Sequence, residues 1–149
     1  MSNIFNEDFR DFLTALNEAD VNYILVGGFS VILHGYSRTT GDMDIWVDRT
    51  PENYQKIKSA FLQFGMPVFD MTVDNFLYHK IWDVFTFGIP PSAIDLMLKV
   101  KGLDFGSTYK NATIFIDDEL AIRVIHKDDL IKAKKAAGRP KDLDDLENL

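Results

Sequence analysis

The apolar positions divide this chain into short segments of two different periods. Phe9, Phe12, Leu13 and Leu16 recur at helical spacing over residues 6–18, with Asn6 placed to cap the first turn and Glu7 and Asp8 suited to its dipole. Tyr23 to Val26 is a β-rich run that stops at Gly27-Gly28, and Phe29 to His34 reads as a helix beginning at the glycines. From Asp42 to Asp48 the period becomes two: Asp42, Asp44 and Trp46 take one face of a strand, while Met43, Ile45 and Val47 take the other. Thr50-Pro51 then opens a helix whose Tyr54, Ile57, Phe61 and Phe64 share a side, and Gly65 stops it.

The next stretch carries weaker patterns. Thr72 to Asn75 starts a short helix, Val84 to Phe87 forms a strand, and Pro90-Pro91 interrupts regular structure after it. Ser92 to Leu98 alternates again, which leaves Asp95 as a lone carboxylate in an otherwise apolar strand. Gly102 to Lys110 reads as a loop with a helical turn. Ala112 to Ile116 and Leu120 to Ile125 form a hairpin or two successive strands around Asp117-Asp118-Glu119. Two helices close the chain, Lys127 to Ala137 ending at Gly138, and Pro140 to Asn148 with Leu143, Leu146 and Leu149 at helical spacing. Helices interleaved with a small mixed sheet make an α+β or α/β-like fold.

Composition narrows the class. The 149 residues suit one domain, spanning 1–149, with a core that needs no staples. The absence of cysteine removes disulfides, thiolate catalysis and cysteine-ligated zinc, and it suits a reducing compartment; with no apolar leader and no membrane-length apolar run, the expected location is the cytoplasm. A net charge of −7 argues against a general nucleic-acid coat. Yet Lys127 to Lys141 holds six basic side chains against Asp128 and Asp129, so an anion can still bind there.

Two aspartates on one strand face stand roughly 6 Å apart and repel by about 3 kcal/mol at an effective dielectric near 20. Asp95 on a neighbouring strand would add to this, so the cluster calls for a cation, and hard oxygen ligands suit Mg²⁺ or Mn²⁺. A pair of this kind also arises as a solvated strand edge in acidic proteins. Gly27-Gly28 ahead of it either makes a tight strand-to-helix turn or lets backbone N–H groups approach phosphate oxygens, with Ser30 adding a hydroxyl. His34, His79 and His126 lack acidic partners at metal or triad spacing and read as structural.

Gly27-Gly28, then Arg38-x-Thr40-x-Asp42-x-Asp44, a later Ile94-Asp95-Leu96 and the tail DLIKAKKAAGRPKDLDDLENL together resemble the DNA polymerase beta-type nucleotidyltransferase superfamily. More narrowly, they resemble its small bacterial domains related to toxin-antitoxin and abortive-infection nucleotidyltransferases. The resemblance covers residues 22–149. It implies transfer of a nucleoside monophosphate from an NTP to an acceptor hydroxyl on RNA, protein or a small molecule. Asp42 and Asp44 would hold two Mg²⁺ or Mn²⁺ ions, and Asp95 would complete the ion that activates the acceptor. Arg38, Lys134 and Arg139 would neutralise the triphosphate, with Gly27, Gly28, Ser30 and Thr40 beside it. An antitoxin-like partner is a further implication. One residue departs from the pattern, since Phe29 stands where the superfamily often has Ser or Thr. That departure keeps open a nucleotide-binding module that works through a partner protein without turnover. A phosphatase or glycosyltransferase of the DxD type is a more distant alternative, because those place the motif after an apolar strand and here Ser37 to Gly41 precede it.

Overall fold

The computed structural model describes residues 4–89 and 92–149. Its elements run α1 (Glu7–Glu18), β1 (Tyr23–Val26), α2 (Gly27–Leu33), β2 (Met43–Val47), α3 (Pro51–Phe64), α4 (Val73–Leu77), β3 (Val84–Phe87), β4 (Ile94–Met97), α5 (Phe105–Asn111), β5 (Thr113–Asp117), β6 (Leu120–Val124), α6 (Lys127–Ala137) and α7 (Pro140–Asn148). This is the mixed α/β architecture expected from the two periods. The expected break at Pro90-Pro91 lies outside the described residues.

Local chemistry accounts for the element ends. Asn6, Thr50, Thr72 and Asp104 each accept from a backbone N–H of the first turn of their helix. The β5–β6 turn is a tight hairpin, with Asp118 and Glu119 both at positive φ.

Six strands form one sheet in the order β3-β4-β2-β1-β6-β5. Strands β1 and β2 are antiparallel, whereas β2–β4 and β1–β6 are parallel. Met43, Ile45, Leu96 and Leu25 are buried on one face with α1 and α3, whose Phe12 and Phe61 meet edge to face at 5.6 Å. Phe29 also points into this core, stacked on Phe5 at 4.9 Å and edge-on to Phe9 at 5.6 Å. The opposite face carries Asp44 and Asp95 and is covered at its far end by α5, where Phe105 meets Trp46 at 5.2 Å. Among the described residues no helix is long and apolar enough to cross a membrane.

The last helix departs from its leucine pattern. Leu143 is 54% exposed, while Asp142 and Asp145 are 0% and 1% exposed. The inward face of α7 is therefore acidic, because it packs against cations of α6 and of the segment after α2.

Candidate active site

Register brings the carboxylates together. Parallel pairing of β2 with β4 sets Asp44 directly beside Asp95, and antiparallel pairing of β3 with β4 sets Thr86 beside Asp95. The Thr86 hydroxyl donates to Asp95 Oδ1 at 2.7 Å. Asp42 lies one residue ahead of β2 and accepts from the Ala93 backbone N–H at 3.1 Å through Oδ1, tying the starts of β2 and β4 together. Burial, then the charge and hydrogen bond of Asp95, push the Asp44 carboxyl up to about 7; Lys141 pulls the other way.

The glycine pair belongs to the same construction. Gly27 sits at φ 69°, and a Cβ there would lie 2.1 Å from Asp44 Oδ2. A Cβ on Gly28 would lie 2.3 Å from Thr40 Oγ1 and 3.3 Å from an Arg38 nitrogen. Gly27, Gly28, Arg38, Thr40 and Asp44 thus converge, and the missing side chains are what let them. Gly27→Ala should destabilise by about 1–3 kcal/mol through the strained φ and the collision. Thermal denaturation of Gly27→Ala with and without Asp44→Ala checks this. The two changes should be less than additive, since removing the carboxylate relieves the collision.

The expected cations are present, with partners that the linear pattern did not reveal. Arg38 forks onto Asp145, Nε to Oδ1 at 2.8 Å and a terminal nitrogen to Oδ2 at 3.1 Å. Lys134 Nζ bridges Asp142 at 3.2 Å and Asp145 at 3.0 Å, and Arg139 Nε meets Asp142 at 2.7 Å. Three cations share two buried carboxylates, so one positive charge remains in surplus. Lys134 and Arg139 line a cavity of about 240 Å³ together with Gly27, Asp44, Lys99 and Lys101. The cations therefore share this cavity with Asp44. Lys132 and Lys135 are exposed.

Ser30 takes a different task from the one expected of its hydroxyl. It is fully buried and donates to the Gly27 carbonyl at 2.6 Å, closing the first turn of α2. Each histidine has a local partner: His34 bonds the Ile125 carbonyl at 2.7 Å, His79 stacks on Trp82, and His126 caps α6, with Asp128 at 3.8 Å. Thr86, Asp142 and Asp145 contact the predicted site residues Asp95, Lys134, Arg139 and Arg38, and the pattern along the chain did not single them out.

Among the described residues no three carboxylate or imidazole side chains are placed to hold a metal ion, so the expected set of Asp42, Asp44 and Asp95 is not assembled; Asp42 Oδ1 is taken up by the Ala93 N–H. The donor set still fits Mg²⁺, which is usually held by one or two carboxylates and completed by substrate phosphates and water. Asp44, desolvated beside Asp95, is a position that such an ion would relieve.

A family model described as nucleotidyltransferase of unknown function, DUF6036, matches residues 5–149. No curated protein is significantly similar to the chain. A crystal structure from Thermotoga maritima, of a protein whose own assignment as a nucleotidyltransferase is provisional, superposes with a TM-score of 0.59 at 18% identity, covering 94% of this chain and 88% of that one. At that identity the superposition bears on the fold, which the two share. With the family model matching nearly end to end, the chain belongs to the DUF6036 nucleotidyltransferase family.

Proposed function

We propose that the protein transfers a nucleoside monophosphate from an NTP to an acceptor hydroxyl, using Mg²⁺ or Mn²⁺. The observation that carries this reading is the side-by-side placement of Asp44 and Asp95 on parallel strands, with Asp44 lining a cavity that Lys99, Lys101, Lys134 and Arg139 also line. Asp44 and Asp95 would hold the metal, which would supply charge stabilisation at the α-phosphate and at the leaving oxygen. Lys134, Arg139 and Arg38 offset the charge of the triphosphate and of departing pyrophosphate. Gly27 and Gly28 let Asp44, Thr40 and Arg38 close on the start of α2. The acceptor oxygen bonds to the α-phosphorus, the bond from that phosphorus to the β-phosphate bridging oxygen breaks, and the acceptor proton passes to Asp95.

Millimolar MgNTP should raise the melting temperature by several degrees, since a ligand at 100 times its Kd adds about 2.7 kcal/mol to a fold of this size. Differential scanning calorimetry with each NTP, with and without Mg²⁺, provides the measurement, and no shift with any NTP would sink the reading.

A second reading has its own support. Phe29 lies in the core and the Ser30 hydroxyl is spent on Gly27, so this site lacks a hydroxyl where the superfamily often uses one. A module that binds nucleotide and acts through a protein partner would show the calorimetric shift without releasing pyrophosphate. Pairing with an antitoxin-like partner rests on the family resemblance alone.

A further inference from the structure

Four cations line the cavity beside Asp44, and they differ in what holds them. Lys134 is buried between Asp142 and Asp145, and Arg139 is paired with Asp142. Arg38, close to Gly28 and outside that lining, is forked onto Asp145. Lys99 and Lys101 are exposed, and among the described residues neither has an ion pair or a hydrogen bond. The cations that the sequence pattern singles out are therefore committed to the protein's own carboxylates, whereas two that it passes over are free to meet an anion.

The chain fixes where these two lysines start. Strand β4 carries Asp95 and Met97 on the same side, and Met97 is part of the cavity wall. Beyond it the Leu98 N–H donates to the Asp83 carbonyl at 2.7 Å, and the Leu103 N–H closes a turn on the Val100 carbonyl at 3.2 Å. Gly102 sits at φ 87°, and a Cβ there would lie 2.8 Å from the Ala136 Cβ, so a glycine is what lets the turn press against α6. Lys99 and Lys101 thus leave a segment tied to the residue ahead of β3 and to α6, with Val100 between them in the same wall. Val26, Met97, Ile125 and Leu130 give that wall an apolar part, which lowers the local dielectric and strengthens a charge contact made there.

The charge balance calls for these two groups. A triphosphate brings about four negative charges at neutral pH. The one surplus charge among Arg38, Lys134 and Arg139, with a divalent ion shared between the substrate, Asp44 and Asp95, leaves much of that unmatched. We propose that Lys99 and Lys101 bind the β- and γ-phosphates of the NTP and hold pyrophosphate as it leaves. The assignment rests on the nucleotidyl-transfer reading and adds to it two phosphate contacts. Asp142 and Asp145 keep Lys134, Arg139 and Arg38 as a fixed positive background. The two ammonium groups, on flexible stems, meet the charge that gathers on the β-phosphate when its bridging oxygen parts from the α-phosphorus.

Isothermal titration calorimetry of the full chain with MgNTP and with magnesium pyrophosphate tests the assignment. In Lys99→Gln and in Lys101→Gln both ligands should bind about tenfold more weakly, the size expected for a lost charge-assisted hydrogen bond. Lys135→Gln removes the same charge from the exposed side of α6, outside the cavity lining, and should bind within about twofold of wild type. All three positions are exposed, and melting curves without nucleotide establish that the variants fold. Either cavity variant binding MgNTP as tightly as wild type, pyrophosphate affinity unchanged in both, or an equal loss in Lys135→Gln would overturn the assignment. Wild-type protein that binds no MgNTP would instead remove the nucleotidyl-transfer reading beneath it.

Discussion

In metal-free buffer at pH 8, Asp44→Asn protein should melt above the wild type, and it should transfer no nucleotide. The Asp44 carboxyl titrates near 7 in the fold and near 4 in the unfolded chain, so between those values the folded state binds the proton more tightly. Its contribution to stability is complete below about pH 4 and is lost as pH rises through 7. A shift of this size corresponds to about 4 kcal/mol at most, because each unit is worth about 1.4 kcal/mol. Asparagine keeps the shape without the charge and removes that slope. Denaturant unfolding from pH 4 to pH 8 should show the wild type losing ground to the variant, with added Mg²⁺ restoring the wild type alone. A variant equal to or less stable than wild type at pH 8 would contradict the charge conflict at this site.

Asp142→Ala should be the most destabilising single change in the cationic wall, at about 3–5 kcal/mol. Burial raises the Asp142 carboxyl, yet the hydrogen bonds from Arg139 and Lys134 outweigh it, and its pKa lies below the ordinary carboxylate value. Removing it leaves Lys134, 7% exposed, with half its partners, and takes from Arg139 both its ion pair and the cap that starts α7. Since the folded pKa is depressed, the wild type should lose this stabilisation as pH falls below about 4, and the gap to the variant should narrow there. Urea titrations at pH 7 and pH 3 measure both parts. Asp144→Ala on the exposed side of the same helix is the control and should cost little.

Much of the fold was legible because its signals are local. Caps at Asn6, Thr50 and Thr72 and the change of period at Asp42 are read within a few residues of where they act. Asp42, read as sharing a strand face with Asp44, lies instead in the bend ahead of β2, where its Oδ1 accepts from the Ala93 N–H. Contact between Asp44 and Asp95 depends on β2 and β4 pairing in parallel, and the patterns of these strands do not name their neighbour. Thr86 is one of several polar residues in a stretch of weak periodicity, and only the β3–β4 register lifts it out. In α7 the leucines suggested an apolar inner face. Asp142 and Asp145 took that face because Lys134 and Arg38 await them inside, and no hydropathy pattern carries that pairing.

The parallel register of β2 against β4 has a kinetic consequence. Slipping it by one residue would carry Asp95 to the opposite side of the sheet, leaving Asp44 without its neighbour. Correct pairing must wait until the chain has closed the long crossover through α3, α4 and β3, and such non-local contacts form slowly. A nascent or partly folded chain therefore holds a DxD strand but no reaction centre. If the proposed transfer is assayed during refolding, its recovery should lag behind the return of helical signal.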